Sequence, residues 1–332
     1  IFRRNPEFDI HTKHAPKKII YKIIKDNNLA LLKLKGNELD IYSRITESIY
    51  RDEILTKKPN SPFITGELGY KIYTRPVYYY IGWNSARELF KSKYVRRALT
   101  HAFDRRGVLK RVLGGLGQVI TGGIHPLYED YDKTIKPFEF NLEKASKLLA
   151  QEGWKDKDKN GILEKVINGK EKEFKFSLLV IPIPIYKSMY SMYKENLNKI
   201  GIKIDIRFLD WALYLKKIDA RDFDAFHGVW VLSSYTDPYQ IWHSSQADIP
   251  RGSNRVNFKN PEADKIIIKA RKTFDHKKRV KLFHRFHKIL HEEQPYTFLC
   301  AREGFLGHNN KVKGIKIRLF KPLVLADTMY KE

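Results

Sequence analysis

The residues Asp156-Lys-Asp158-Lys-Asn160-Gly161-Ile-Leu-Glu164 set side-chain oxygens at alternate positions around a turn glycine, the opening of a loop that can wrap a calcium ion. Carboxylate and amide oxygens suit a hard divalent cation. The bidentate glutamate of such a loop belongs at its twelfth position, where this chain has Ile167, and the flanks read as turn and strand. A polar hairpin tip explains the same residues and is the favoured account, with a weak calcium site through Asp156, Asp158, Asn160 and Glu164 as the alternative.

A second constellation is His284, His287 and His291, spaced to share one helix face. The zinc-protease pattern needs Glu directly after the first histidine of an H-E-x-x-H set, but Lys288 stands there, so a partly exposed polar helix face is the expectation. No G-x-S-x-G elbow, P-loop or dinucleotide fingerprint occurs. The glycines at 114, 115, 117, 122 and 123 follow a helix, whereas a phosphate cradle follows a strand. Hydrolytic and nucleotide chemistry therefore have no carrier, and neither an enzymatic role nor a cofactor is expected.

What remains is rings and polar groups in segments that read as strands or their ends: Tyr78, Tyr79, Tyr80, Trp83 and Asn84; Trp211; His227 and Trp230; and 233–242, with Ser233, Ser234, Tyr235 and Asp237. Aromatic walls with a few convergent polar groups are what solute clefts are made of. Large rings also build cores, and periodicity alone does not choose between the two.

The elements that must position these groups follow from local pattern. Residues 17–24 read as a β-branched strand, 29–35 as a helix capped by Asp26 or Asn27, and 38–42 as a strand. Residues 70–74 and 77–83 read as two strands, with Pro76 marking a change of direction. Helical spacing begins at Lys93, burying Val95, Leu99, Ala102 and Phe103, and Asp104 can cap a second helix over 105–113. Asn141 can cap a helix to Ala150. Residues 174–180, 186–200 and 202–208 form a strand, helix, strand unit of the length that a parallel crossover needs. A helix over 211–217, a strand over 223–230, helices over 261–273 and 276–293, and short strands over 296–300 and 313–317 complete an α/β pattern.

The chain has 332 residues, enough for about two domains. Its 42% hydrophobic and 13% aromatic content is too high for a disordered chain. Lys and Arg exceed Asp and Glu by 63 to 38, a net charge of +25 that raises nucleic acid or an anionic surface as a partner. No five-residue basic block exists, and the charges alternate with apolar residues, so a solvated basic surface is the expectation. Cys300 is the single cysteine. No apolar run approaches a membrane span, and the first residues have no signal-peptide core.

Tyr94-Val-Arg-Arg-Ala-Leu-Thr-His-Ala-Phe-Asp-Arg-Arg106, with Tyr79-Tyr-Ile-Gly-Trp-Asn84 before it and Gly114-Gly-Leu-Gly and Gly123-Ile-His-Pro126 after it, resembles the signature region of family 5 extracellular solute-binding proteins. These are the oligopeptide- and dipeptide-binding receptors of ABC importers. Lys35-Gly-Asn-Glu-Leu-Asp-Ile41, Asp237-Pro-Tyr-Gln-Ile-Trp-His-Ser-Ser-Gln246, Asn260-Pro-Glu-Ala-Asp264 and Glu292-Glu-Gln-Pro-Tyr-Thr-Phe298 continue the resemblance over nearly the whole chain.

The resemblance implies a periplasmic-binding-protein-like type II fold, with two lobes that close over a solute about crossing strands near 77–82 and 296–301. Residue 1 resembles a point inside that fold. Residues 1–80 with 302–332 would then be an incomplete first lobe that leaves an apolar face exposed, and 81–301 the second lobe. An exported, periplasmic or lipid-anchored monomer that hands a peptide to a membrane permease is implied, without nucleic acid.

Among site residues, the resemblance places Trp211 and Trp230 on the pocket wall and His227 facing the ligand, with Tyr79, Trp83, Asn84, Ser233, Tyr235 and Asp237 nearby. The aspartate that pairs with a peptide's free amine falls at Ser234, which opens the alternative of a non-peptide solute such as a sugar or a metal chelate. Asp237, beside Pro238, fits a helix-capping role.

Overall fold

Short polar side chains fix most of the helix starts. In the computed structural model, which describes residues 2, 3, 16, 18–233, 235–320, 323–325 and 328–332, a two-residue strand β1 (Phe2–Arg3) pairs with β2 (Lys18–Ile19). The Asp26 carboxylate accepts from the Leu29 N–H and opens α1 (Asn27–Lys35), whose last turn carries Lys33 and Lys35 near the negative end of the helix dipole. β3 (Ile41–Ile45) leads to α2 (Glu47–Tyr50), capped by Thr46, then to α3 (Pro62–Thr65) and the long β4 (Leu68–Trp83). Ser92 caps α4 (Lys93–His101) and Asp104 caps α5 (Arg105–Arg111); β5 (Gly117–Val119) follows.

Asn141 caps α6 (Leu142–Gln151), and β6 (Glu164–Ile167) turns back on β7 (Lys170–Glu173). β8 (Lys175–Val180), α7 (Pro184–Asn198) and β9 (Lys203–Phe208) make the parallel crossover that the spacing predicts. Asp210 caps α8 (Trp211–Asp219), ahead of β10 (Ala225–Val231) and the single turn α9 (Tyr239–Trp242). Asn260 and Asp275 cap α10 (Pro261–Arg271) and α11 (His276–Glu293). β11 (Tyr296–Asn309), β12 (Val312–Lys313) and β13 (Tyr330–Lys331) end the chain.

The chain divides into two compact units, Ile1–Pro76 with Leu113–Gly117 and Arg302–Glu332, and Val77–Val112 with Gln118–Ala301. In unit 1, β3 pairs antiparallel with β11, Phe305 opposite Ile45 and His308 opposite Ile41. Its core gathers Leu31, Leu34, Ile49, Phe63 and Phe305. Ile20, Ile23, Leu32 and Ile72 stay exposed. In unit 2 the strand order is β11, β4, β10, β8, β9, a mixed sheet. β10 runs antiparallel to β4 and parallel to β8. A core of Tyr78, Tyr80, Phe226, Trp242, Phe283, Phe286 and Tyr296 packs on it.

Five sequence expectations need correction. The strand expected over 17–24 is only Lys18–Ile19, with Lys17 outside the described residues; β-branched residues make a strand where a partner pairs with them, and here Ile20 and Ile23 face solvent. The third strand lies at Ile41–Ile45, three residues later than the sequence pattern puts it. The two strands expected around Pro76 are one, β4, because a proline's fixed φ suits extended backbone and costs one ladder donor without turning the chain. β11 runs nine residues beyond the expected end at Cys300, while the strand expected over 313–317 is reduced to Val312–Lys313 and an isolated bridge at Ile317.

Candidate functional site

β8, β9 and β10 are parallel and in register, Val180 beside Phe208 and Leu179 beside Phe226, so their carboxyl ends finish at one edge of the unit 2 sheet. Ligands of open α/β sheets bind outside such ends. That edge carries exposed apolar side chains: Ile183 after β8, Phe208 and Trp211 at the end of β9, and Val231 and Tyr235 at the end of β10. Trp211 is 60% exposed, Val231 72% and Tyr235 68%. Asp210 holds Trp211 at the first position of α8 by accepting from the Ala212 and Leu213 N–H groups, and the indole stacks on Tyr214, 5.8 Å between centroids. Rings held out in water at a strand end make a wall that a solute can cover.

Behind the rim, β10 alternates. On one face His227 sits 3% exposed, stacked with Tyr79 at 5.9 Å and packed against Tyr186 at 4.1 Å. Its Nδ1 is 2.6 Å from the Tyr190 hydroxyl, and the Tyr214 hydroxyl donates to the His227 carbonyl. Burial lowers the His227 pKa to about 3, so the ring is neutral. On the other face Trp230 is half-buried, and its indole N–H donates to the Tyr296 hydroxyl at 3.4 Å. Tyr80 stacks on the Tyr296 ring at 3.9 Å and lies nearly parallel to the Trp230 ring at 6.4 Å.

The remaining predicted residues separate into rim and framework. Trp83 is buried and donates to Thr297 Oγ1 at 3.1 Å; Asn84 donates to the Phe223 carbonyl at 2.9 Å and accepts from the Ala86 N–H. Ser233 donates to the Tyr235 carbonyl, and Tyr128 donates to the Ser233 carbonyl. Asp237 accepts from the Tyr239 N–H and lies 3.4 Å from Arg271. Ser234 lies outside the described residues. Sequence reasoning missed Tyr186, Tyr190 and Val231; the signal for the two tyrosines was their helical spacing on α7 facing a sheet. Two surface hollows of unit 2, one around His243 and Lys269 and one around Phe176 and Asp224, include none of the rim rings.

The signature segment 94–106 is framework. Arg96 donates to the carbonyls of Phe90, Lys91, Glu293 and Gln294, closing the C-terminal end of α11. Thr100 Oγ1 is 2.7 Å from Thr297 Oγ1, and Arg105 donates to the Phe298, Ile120 and Phe138 carbonyls. Burial lowers both arginine pKa values to about 10, still cationic near neutrality.

The three helix histidines do not form a metal set. His287 accepts the Asp132 N–H at Nδ1 and donates from Nε2 to Thr121 Oγ1, His291 Nδ1 lies 3.1 Å from the Thr121 carbonyl, and His284 Nε2 lies 2.9 Å from the Glu129 carbonyl. The face is more buried than expected, because Gly122 leaves room for the His287 ring: a methyl there would sit 2.2 Å from it. Among the described residues, one group of three acidic or histidine side chains is gathered as metal ligands would be, Asp156, Asp158 and Glu164.

Comparison with known proteins identifies the class to which this mixed α/β sheet belongs. Residues 1–249 match the family described as bacterial extracellular solute-binding proteins, family 5 Middle. The chain is 35% identical over 303 residues to the oligopeptide-binding protein AppA of Bacillus subtilis (strain 168), covering 90% of this chain and 53% of that protein. The solved structure of AppA from Bacillus subtilis in complex with a nonapeptide matches with a TM-score of 0.77 at 33% identity, over 94% of this chain and 60% of that one. NikA from Brucella suis in complex with Fe(III)-EDTA, 20% identical, matches in fold with a TM-score of 0.81 over 97% and 63% of the two chains.

This chain belongs to family 5 of the bacterial extracellular solute-binding proteins, and its fold is the periplasmic-binding-protein type II fold. It spans about half the length of the curated relatives it matches. No helix among the described residues is long and apolar enough to cross a membrane.

Proposed function

We propose that this chain is part of the solute-capturing component of an ABC importer and that the solute is a peptide. The observation that carries the reading is the exposed rim of Phe208, Trp211, Val231 and Tyr235 at the carboxyl ends of parallel strands, in a chain 35% identical to an oligopeptide-binding protein. Covering those side chains supplies a hydrophobic driving force indifferent to peptide sequence, and backbone hydrogen bonds add register. Capture needs no covalent step. The pivots of closure would lie where β4 and β11 leave one compact unit for the other, at Pro76–Val77 and Ala301–Arg302. Delivery to a permease, action as a monomer and a lipid anchor belong to the same proposal.

A non-peptide solute is the second reading, motivated by Ser234 where the resemblance places an amine-binding aspartate, and by relatives such as the heme-binding protein A of Haemophilus influenzae. The dispersed basic charge favours either over nucleic-acid binding. Calorimetric titration with a defined nonapeptide, a dipeptide, haem and a nickel–histidine chelate separates them. Saturable heat with a peptide supports the proposal, and heat with a chelate alone overturns its peptide part. Binding to DNA with a steep salt dependence, and to no small solute, would overturn it whole.

A further inference from the structure

Three carboxylates gather at the tip of unit 2 that precedes β6. One oxygen of each of Asp156, Asp158 and Glu164 lies within 4.8 Å of the others. In a chain of net charge +25, none of the three forms an ion pair among the described residues, and the nearby Lys157 ammonium is drawn off to Glu171 at 2.6 Å.

Glu164 distinguishes this tip from an ordinary acidic turn. It is 4% exposed, and its Oε1 is buried without a hydrogen-bond partner. A desolvated carboxylate oxygen among two further carboxylates is unfavourable, and a cation that joins them relieves the cost. The backbone of Glu164 is bridged both ways to Lys155, at 2.8 and 3.1 Å, and its side chain is held inward by Oε2 accepting from the Lys157 N–H at 2.9 Å.

The rest of the loop is arranged around the same point. Asp156 Oδ2 accepts from the Gly161 N–H at 3.0 Å, Asp158 accepts from the backbone and side-chain amides of Asn160, and Asn160 Oδ1 accepts from the Ile162 N–H. These donors engage one oxygen of Asp156, one of Glu164 and both of Asp158, whose further lone pairs stay available, and they leave Asp156 Oδ1 and Glu164 Oε1 for a ligand. Ile167 stands where a twelve-residue loop would place its glutamate, and the buried Glu164 supplies a carboxylate from inside instead.

We propose that residues 156–164 bind one calcium ion through the carboxylates of Asp156, Asp158 and Glu164 and the side-chain oxygen of Asn160, pinning the loop to the core of unit 2. An all-oxygen, partly flexible ligand set favours Ca²⁺ over Mg²⁺, which demands a tighter octahedron. Trp154, buried against Phe174 at 4.4 Å and two residues from Asp156, supplies an antenna for a lanthanide probe.

The test is titration of the chelator-treated 332-residue chain with CaCl2, MgCl2 and TbCl3. Expected are saturable heat for one Ca²⁺ per chain, Mg²⁺ at least about tenfold weaker, tryptophan-sensitised Tb³⁺ emission displaced by Ca²⁺, and a rise in melting temperature with Ca²⁺. With Ca²⁺ at ten times its Kd the unfolding constant falls about elevenfold. Asp158→Ala alters an exposed side chain and should keep the circular dichroism of the parent while losing the ion; Glu164→Gln should weaken it too. No saturable Ca²⁺ heat, or unchanged binding in a folded Asp158→Ala chain, overturns the proposal.

Discussion

The Tyr80 ring lies 3.9 Å from the Tyr296 ring and 11° from parallel, and a methyl group at Gly228 would stand 2.2 Å from the same Tyr80 ring. The strand neighbour of Tyr80 is therefore glycine because any side chain would displace a stack that joins β4, β10 and β11. Gly228→Ala should lower stability by about 1–3 kcal/mol through overpacking, read from the urea midpoint. An unchanged midpoint would mean that the stack moves aside at no cost.

Acid should destabilise the protein over a defined window. Burial holds the His227 and His287 pKa values at about 3 and that of His291 at about 4, against 6.5 in the unfolded chain. Between those values the unfolded chain takes up protons that the native one refuses. Their stabilisation is thus fully present above pH 6.5 and is lost as pH falls from there toward 4, at up to about 1.4 kcal/mol per pH unit for each histidine. Unfolding midpoints measured from pH 7.5 to 4.5 should fall, and His287→Gln should flatten the slope. A level profile across that range would contradict the assignment of neutral buried rings.

Arg96 spans carbonyls of four residues from buried positions. Arg96→Lys offers a compact ammonium without the planar fork and leaves some of those acceptors unmet. A loss of about 2–4 kcal/mol is expected by chemical denaturation, with the thermal transition shifted down accordingly. Survival of the substitution within about 0.5 kcal/mol would show that solvent reaches the end of α11.

Trp211→Ala separates site from scaffold. The indole is mostly in water and touches Tyr214 within its own helix, so the melting temperature should barely move. Peptide affinity measured by calorimetry should weaken about tenfold, as for a rim aromatic of moderate weight. Full affinity in the variant would remove Trp211 from the proposed wall.

What could be read in advance follows the range of the interactions. Asp104 and Asn141 cap the helices that the sequence assigns to them, and Asp26 is the one of its two candidates that caps the first, because capping is settled within three residues. The crossover around α7 was equally visible, since its two strands and its helix each carry their own period. β4 was not, because its passage through Pro76 depends on neighbours distant in sequence. At the candidate site, Trp211 and Trp83 are the same residue type in opposite environments, one in water and one sealed against Thr297. Side-chain chemistry proposes both, and only the sheet register separates them. The family resemblance reached the right class through residues that are mostly not at the rim.

Arg96, Thr100 and Arg105, the badge by which kinship is recognised, grip backbone carbonyls and one another's neighbours, while cargo would meet the edge of the sheet elsewhere. If the proposed rim is the site, ancestry and diet are written in separate residues, and a lineage can change what it eats without losing its surname.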